Sequence, residues 1–120
     1  MGEFIEISTG GAQPFKGYLA LPPSGKGPGL IVYQEIFGVN EAIRGTADYF
    51  AEEGYVVLAP DMFWRLEPGV SLTYDDADIR RAFGFFGEFD FEAAAQDMQT
   101  VTAFLKAHEA VDGQGKGGVT

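Results

Sequence analysis

The sequence has no cysteine and a single histidine, His108, among its 120 residues. The absence of thiols excludes a disulfide framework, a thiolate zinc site and a thiol nucleophile within the chain. One imidazole is too few for a metal site built from several histidines. A serine nucleophile is not indicated either, because the chain contains no Gly-x-Ser-x-Gly turn. We therefore expect no metal, no cofactor and no complete nucleophilic triad in this sequence.

Basic residues and long apolar runs are scarce as well. Eight Lys and Arg stand against eighteen Asp and Glu, which gives a formal net charge of −10. A nucleic-acid surface needs a basic face that replaces counterions, and anionic membranes attract basic segments, so neither partner is expected. No apolar run is long enough to span a bilayer, and the amino terminus lacks the charged-then-apolar pattern of a signal peptide. We expect a cytoplasmic protein.

Apolar side chains, by contrast, are plentiful: hydrophobic residues make up 46% of the chain and charged residues only 22%. This is the composition of a folded domain, and 120 residues suffice for one domain rather than two. Residues 3–8 and 15–21 combine apolar and polar positions between turn-forming residues. They predict a hairpin at the edge of a sheet.

A strand–helix–strand unit is the clearest pattern in the sequence. Residues 30–33 and 55–59 are continuous apolar runs, typical of parallel strands that are buried on both faces. Between them, apolar residues recur at helical spacing, with Asn40 placed to cap the start of the helix and Gly54 its end. The pattern predicts a βαβ crossover in an α/β sheet.

Two more helices are predicted after a long connection over residues 60–74. One spans 75–88, and the other is capped by Asp90; each is expected to bury one apolar face. The inward residues are predicted to be Ile79, Ala82, Phe83 and Phe86 in the first helix, and Ala94, Met98, Val101 and Leu105 in the second.

Glu35 is the candidate functional residue that the pattern itself singles out. It follows the buried strand 30–33, and ligands of parallel α/β sheets collect at the carboxyl ends of the strands. A carboxylate at the end of an apolar run is expected to be partly desolvated, which makes it a usable proton acceptor. A salt-bridged or helix-capping carboxylate is an equally good interpretation from the residues alone.

Six segments together resemble one known family. The most specific is Gln-Glu-Ile-Phe-Gly-Val-Asn at 34–40, and the others are 43–44, 53–63, 68–69, 89–90 and 115–119. In this order and spacing they resemble the dienelactone hydrolase (carboxymethylenebutenolidase) family over essentially the whole chain. The resemblance implies an α/β-hydrolase fold and an enzyme that hydrolyses a small ester or lactone, in that family a cyclic dienelactone, with a Cys–Asp–His triad.

By this resemblance the triad lies downstream of the chain, because the segment 115–119 leads into the nucleophile turn of the family. Residues 1–120 are then expected to be the amino-terminal part of a single α/β-hydrolase domain, inactive by itself. Glu35 matches a family glutamate that takes the proton of the cysteine. Ile36 matches the residue whose backbone N–H forms half of the oxyanion hole. Phe37 is a candidate substrate contact, with core packing as its alternative.

The substrate side matches the family less closely. The family arginine that holds a substrate carboxylate falls on Ile79, so its role passes to the neighbouring Arg80 or Arg81 if the helix is shifted. Solvated surface charges are the alternative for both arginines. Phe83 and Phe86 stand where the family has a tyrosine and a tryptophan, and both are candidate substrate contacts. The identity of the ester or lactone stays open.

Two other functions remain as alternatives: a non-catalytic binding or interaction module derived from the family, and one half of a split enzyme. Both follow from the expected absence of a triad. A sheet that stops after its first parallel strands leaves a buried edge unpaired, so we predict marginal stability, aggregation or pairing with another chain through this edge unless a partner covers it.

Overall fold

Five strands and three helices make up the part of the chain that the computed structural model describes, which is residues 2–8 and 13–112 and the backbone of 118–119. The strands are β1 (Glu3–Ile7), β2 (Phe15–Ala20), β3 (Gly29–Ile31), β4 (Val56–Pro60) and β5 (Gly118–Val119). The helices are α1 (Glu41–Glu52), α2 (Asp76–Gly87) and α3 (Phe91–Ala107). No helix among these residues has both the length and the apolar character that crossing a membrane requires. Of the segment 115–119, residues 115–117 lie outside the described residues.

The strands form one mixed sheet in the order β1-β2-β4-β3-β5. β1 and β2 pair antiparallel at one edge, with Glu3 opposite Leu19, which confirms the predicted hairpin. β3 and β4 are parallel neighbours joined through α1, which confirms the βαβ unit, and β5 pairs in parallel with the other side of β3. β3 is shorter than predicted because its ladder ends at Ile31, although Val32 N still donates to Leu58 O at 3.0 Å.

Helices cover both faces of this sheet. α1 packs on one face through Ile43, Ala47 and Ala51, and α3 packs on the other through Val101 and Leu105. The two faces share β3 and β4, whose successive side chains point to opposite sides. Both strands are therefore buried on both faces, as their unbroken apolar runs predict.

The start of α1 is fixed as the sequence predicts. Asn40 Oδ1 accepts from Ile43 N at 3.2 Å, which satisfies one of the backbone donors at the start of the helix. The chain leaves the helix through Gly54, whose φ of +110° is accessible to glycine and strained for other residues. These two positions set where the chain turns from β3 into α1 and from α1 into β4.

The inward face of α2 differs from the prediction. Ala82 is buried as predicted, but Phe83 and Phe86 are 61% and 46% exposed. Phe85 is turned inward instead, and its ring stacks on that of Phe63 with centroids 5.4 Å apart. Aromatic residues at 83, 85 and 86 fit two neighbouring helical faces equally well, so spacing alone did not decide between them.

α3 buries a charged residue where a methionine was predicted. Met98 is 40% exposed, whereas Asp97 is buried. The Asp97 carboxylate accepts from Trp64 Nε1 at 3.0 Å and from Arg65 at two atoms, Nε (3.1 Å) and Nη2 (2.9 Å). These three bonds replace the water that the carboxylate loses on burial, which is why its burial is tolerated.

Candidate active site

The carboxyl ends of β3 and β4 open into a cavity of about 410 Å³. Because these strands are parallel neighbours, the residues that follow them meet at the same edge of the sheet. The segment after β3 lines the cavity with Tyr33, Gln34, Glu35 and Ile36, and the segment after β4 with Met62 and Phe63. The opposite wall comes from α2, α3 and the turn between them, chiefly through Phe86, Phe89, Phe91 and Met98.

Gln34 ties the ends of the two strands together. Its Oε1 accepts from Met62 N at 2.8 Å, and its Nε2 donates to the Glu35 carbonyl oxygen at 3.2 Å. One amide side chain thus holds together the backbone segments that follow β3 and β4 on one side of the cavity. Sequence reasoning missed this residue, although an amide directly after a buried strand, with both a donor and an acceptor to offer, is the signal that identifies it.

A tight turn follows Gln34 and carries the candidate site residues. Gly38 N donates to Glu35 O at 3.3 Å, and Leu72 N donates to Phe37 O at 2.9 Å. Gly38 has a φ of +81°, and a Cβ there would overlap with the carbonyl of Val70. Only glycine fits this approach without displacing the neighbouring loop.

The side chain of Glu35 is exposed, so the expected partial desolvation is wrong. Glu35 is one of the residues that line the cavity. Within residues 2–8 and 13–112 it has no hydrogen-bond or ion-pair partner. The salt-bridged and capping interpretations therefore find no partner among the described residues, and the role of Glu35 as proton acceptor stays a prediction.

Ile36 is half-buried, and its backbone N–H makes no hydrogen bond within the described part of the chain. This N–H belongs to the same peptide unit as the Glu35 carbonyl, which accepts from Gln34 Nε2 and from Gly38 N. In a trans peptide the C=O and N–H point in opposite directions, so these two bonds also fix the direction of the Ile36 N–H. The result is an oriented and unpaired donor beside the cavity.

Burial shifts two titratable groups near the site. It raises the pKa of the half-buried Tyr33 hydroxyl. It also raises the pKa of Asp61, against the opposing effect of two backbone donors, Phe63 N at 3.1 Å and Gly69 N at 2.8 Å. Asp61 thus holds the loop after β4, including Phe63 of the cavity wall. Sequence reasoning singled out neither group.

Of the predicted substrate contacts, the cavity wall contains Phe86 and not Phe37, Arg80, Arg81 or Phe83. Phe37 packs edge-on against Tyr74, with ring centroids 4.6 Å apart. Arg81 lies 3.4 Å from a carboxylate oxygen of Glu67, and its guanidinium lies 5.6 Å from the ring centroid of Phe85.

Arg80 and Phe83 are exposed. Neither side chain has a hydrogen-bond or ion-pair partner among the described residues. Their roles as substrate contacts are untested predictions.

His108 has a structural partner at the end of α3. Its Nδ1 accepts from Ala110 N at 3.0 Å, and the residue is half-buried. This bond holds the turn that leaves the helix. Across residues 2–8 and 13–112, no three His, Cys, Asp or Glu side chains are grouped as metal ligands would be.

The sequence profile of the dienelactone hydrolase family matches residues 15–118, which is most of the chain and includes the whole cavity wall. The chain belongs to the dienelactone hydrolase family. It is 36% identical over 112 residues to a carboxymethylenebutenolidase of Pseudomonas sp. (strain P51), an alignment that covers 92% of this chain and 47% of that enzyme. It is 29% identical over 108 residues to carboxymethylenebutenolidase 1 of Cupriavidus pinatubonensis (strain JMP 134 / LMG 1197). This alignment covers 89% of this chain and 46% of that protein.

Solved structures agree with this membership and show the α/β-hydrolase fold. A Klebsiella pneumoniae subsp. pneumoniae MGH 78578 protein assigned to the dienelactone hydrolases superposes with a TM-score of 0.72 at 28% identity, over 93% of this chain and 46% of its own. The dienelactone hydrolase-like promiscuous phosphotriesterase P91 from metagenomic libraries superposes with a TM-score of 0.68 at 24% identity. The superposition covers 99% of this chain and 47% of P91, and it supports the fold alone. The chain spans about half the length of the curated relatives it matches.

Within the dienelactone hydrolase fold, the described residues place three things together at one edge of the sheet. They are a fixed N–H donor at Ile36, a solvent-accessible carboxylate at Glu35 and an apolar cavity. A fixed donor beside an apolar cavity can stabilise negative charge that develops on a bound carbonyl oxygen. The carboxylate can accept a proton from a neighbouring group.

Proposed function

We propose that the whole protein containing this chain is a hydrolase of small carboxylic esters or lactones. The name carboxymethylenebutenolidase describes the two relatives reported above as enzymes of this kind. The observation that carries the proposal is the Ile36 N–H. It is unpaired among the described residues, its direction is fixed by two hydrogen bonds to the Glu35 carbonyl, and it lies beside an apolar cavity. A preorganised donor of this kind is worth about 3 kcal/mol of an acyl-transfer barrier.

In the proposed reaction, the carbonyl oxygen of the ester lies against the Ile36 N–H. A cysteine thiolate from the remainder of the enzyme attacks the carbonyl carbon, so that a C–S bond forms and the oxygen becomes an oxyanion that the N–H stabilises. The C–O bond then breaks, and the leaving oxygen takes the proton that the thiol gave up. Water next attacks the thioester, the C–S bond breaks, the acid is released and the thiol is restored. Glu35 accepts the thiol proton when substrate arrives, a role that rests on the family resemblance and on its accessible position.

The 120-residue chain by itself is proposed to be inactive, because it contains no cysteine and its one histidine holds a turn at the end of α3. The ester or lactone substrate is proposed to bind in the cavity. Pairing with another chain through the sheet edge stays a proposal as well.

Hydrolysis of p-nitrophenyl acetate tests the proposal. The whole enzyme is expected to turn the ester over, and Glu35→Gln is expected to lower kcat by about 100-fold because it removes the proton acceptor. Glu52→Gln is the matched control, since Glu52 is exposed at the end of α1, outside the cavity wall. No hydrolysis by the whole enzyme would refute the function, and clear turnover by the 120-residue chain that Glu35→Gln abolishes would refute its proposed inactivity.

A further inference from the structure

The cavity wall is apolar apart from its edge at the turn after β3. Rings and a thioether from α2, the α2–α3 turn and α3 face this edge, through Phe86, Phe89, Phe91 and Met98. Among the described residues of the wall, Glu35 carries the one charged side chain. A group that enters the cavity thus meets apolar surface on most sides and the carboxylate of Glu35 at the edge formed by the turn after β3.

No lysine or arginine among the described residues lines this cavity. Arg80 is exposed on α2 outside the cavity wall, and three other arginines are engaged elsewhere. Arg65 forms its two bonds with Asp97, and Arg81 pairs with Glu67. Arg44 donates to Val39 O at 2.8 Å and to Ser71 Oγ at 3.4 Å, in the region of α1 away from the cavity wall. The described chain therefore has no cation placed to receive a substrate carboxylate.

A carboxylate in this cavity would be doubly unfavourable. It would lose hydration without gaining a charge-assisted hydrogen bond, and it would approach the negative charge of Glu35. A neutral apolar group gains from the same surface, because the aromatic and thioether side chains are partly exposed to water when the cavity is empty. Phe91 and Met98 are 63% and 40% exposed.

We propose that the part of the substrate which occupies this cavity is neutral and apolar, an alkyl or aryl group of an ester or lactone, and not an anionic group. This inference rests on the proposed function and names its substrate class. The volume of about 410 Å³ lies within the range of small-molecule sites, and it suits an aryl ring or a short branched chain.

Two esters of matched shape test the inference in the whole enzyme. p-Nitrophenyl 4-methylpentanoate and p-nitrophenyl hemisuccinate carry the same leaving group and acyl chains of equal length, one ending in an isopropyl group and the other in a carboxylate. The expected result is a kcat/KM about 10- to 100-fold higher for the neutral ester, the ratio that an unpaired buried polar group produces. Equal values or a preference for the hemisuccinate would overturn the inference and leave the hydrolase function standing.

Met98→Arg adds the missing cation to the cavity wall. It is expected to reduce the preference for the neutral ester by about tenfold, mainly through faster hydrolysis of the hemisuccinate. Gln99→Arg adds the same charge at the next, exposed position of α3 outside the wall and is expected to leave the preference unchanged. Met98→Leu controls for loss of the thioether and should keep the neutral preference. An unchanged ratio in a folded Met98→Arg variant would contradict the inference.

Binding separates this inference from the proposed function. The two p-nitroanilides that correspond to the esters are poor substrates, and their dissociation constants are measured by calorimetry. If the enzyme hydrolyses neither ester, the hydrolase function fails, and tighter binding of the neutral anilide then still supports an apolar ligand. Equal or tighter binding of the succinyl anilide would overturn the inference that the cavity takes a neutral, apolar group.

Discussion

The side chain of Gln34 bridges two strand ends: its Oε1 accepts from Met62 N at 2.8 Å while its Nε2 donates to the carbonyl of Glu35 at 3.2 Å. The second bond falls on the peptide unit whose other end is the Ile36 N–H. Gln34 therefore acts on the candidate oxyanion donor through the backbone and not by contact with the reacting atoms. A donation to the carbonyl also polarises the peptide unit and strengthens its N–H as a donor.

Replacing Gln34 is expected to reduce kcat more than it raises KM. Gln34→Ala releases the Glu35 carbonyl from one of its two donors, and a donor that is misplaced by a fraction of an ångström stabilises the oxyanion less. We expect a fall in kcat of about 10- to 100-fold for p-nitrophenyl acetate. The kcat of Gln34→Glu should fall as well, because this variant keeps an acceptor for Met62 N but has no donor for the Glu35 carbonyl.

Gln96→Ala, on the exposed side of α3, is the control for this prediction and should leave both constants unchanged. A merely structural role for Gln34 makes a different prediction, namely a lower melting temperature with kcat intact in the folded fraction. A rise in KM at constant kcat would also contradict the positioning role.

Gly38 and Gly69 form a matched pair for a stability measurement. Both have a φ of +81°, but a Cβ at Gly38 would overlap with the Val70 carbonyl, whereas a Cβ at Gly69 would meet no atom within 4 Å. Gly69→Ala therefore adds backbone strain alone, about 1 kcal/mol, and Gly38→Ala adds strain and displacement of the loop, about 3 kcal/mol. Urea unfolding of the two variants measures the difference. Equal losses would show that the close approach to Val70 is unimportant.

The backbone architecture could be predicted from the sequence because its signals are redundant. The runs 30–33 and 55–59 are unbroken, Asn40 and Gly54 bracket the helix between them, and each of these signals agrees with the others. The face of α2 had one signal only. With phenylalanines at 83, 85 and 86, that signal fits more than one rotation of the helix.

The candidate site could be located from the sequence, although its environment could not. A residue directly after a buried strand falls at the carboxyl edge of the sheet, which places Glu35 beside the cavity. Its exposure depends on how the turn at Gly38 is held by the 70–72 loop, far away in sequence. The burial of Asp97 likewise depends on donors from Trp64 and Arg65, about thirty residues earlier, and helical spacing carries no record of them.

The ion pair between Arg65 and Asp97 is expected to respond asymmetrically to mutation. Asp97 is buried, whereas the side chain of Arg65 is 44% exposed. Arg65→Met leaves the buried carboxylate with Trp64 Nε1 alone, and we expect a loss of about 3 kcal/mol in the free energy of unfolding. Asp97→Ala leaves a guanidinium that water can reach, and the expected loss is smaller, about 1–2 kcal/mol.

The double variant Arg65→Met/Asp97→Ala removes both charges, so its loss should be less than the sum of the two single losses. Denaturant unfolding of the four proteins gives the coupling energy. Additive losses, or a larger loss for Asp97→Ala than for Arg65→Met, would contradict the asymmetry.

Two aspartates are expected to make the melting temperature depend on pH with opposite signs. Thr73 donates to Asp78 through its backbone N–H (2.8 Å) and its hydroxyl (2.9 Å), and these bonds lower the pKa of Asp78. A lowered pKa contributes stability above the ordinary value of the group, and this contribution is lost as the pH falls through the folded pKa. Asp78→Asn should therefore lower the melting temperature at pH 6, and the gap should narrow as the pH falls below the ordinary aspartate pKa of about 3.9.

The contribution of Asp61 to stability changes with pH in the opposite direction, because burial raises the pKa of Asp61. The stability that Asp61 contributes is present below the ordinary pKa of an aspartate and is lost as the pH rises through the raised pKa of the folded protein. Asp61→Asn keeps one acceptor for the two N–H donors and has no charge to bury, so its melting temperature relative to the unsubstituted protein should improve from pH 3 to pH 7. Scanning calorimetry of both variants across this range measures the two slopes. Slopes of the same sign would show that the hydrogen bonds of Asp61 outweigh its burial, in which case the raised pKa does not govern its contribution to stability.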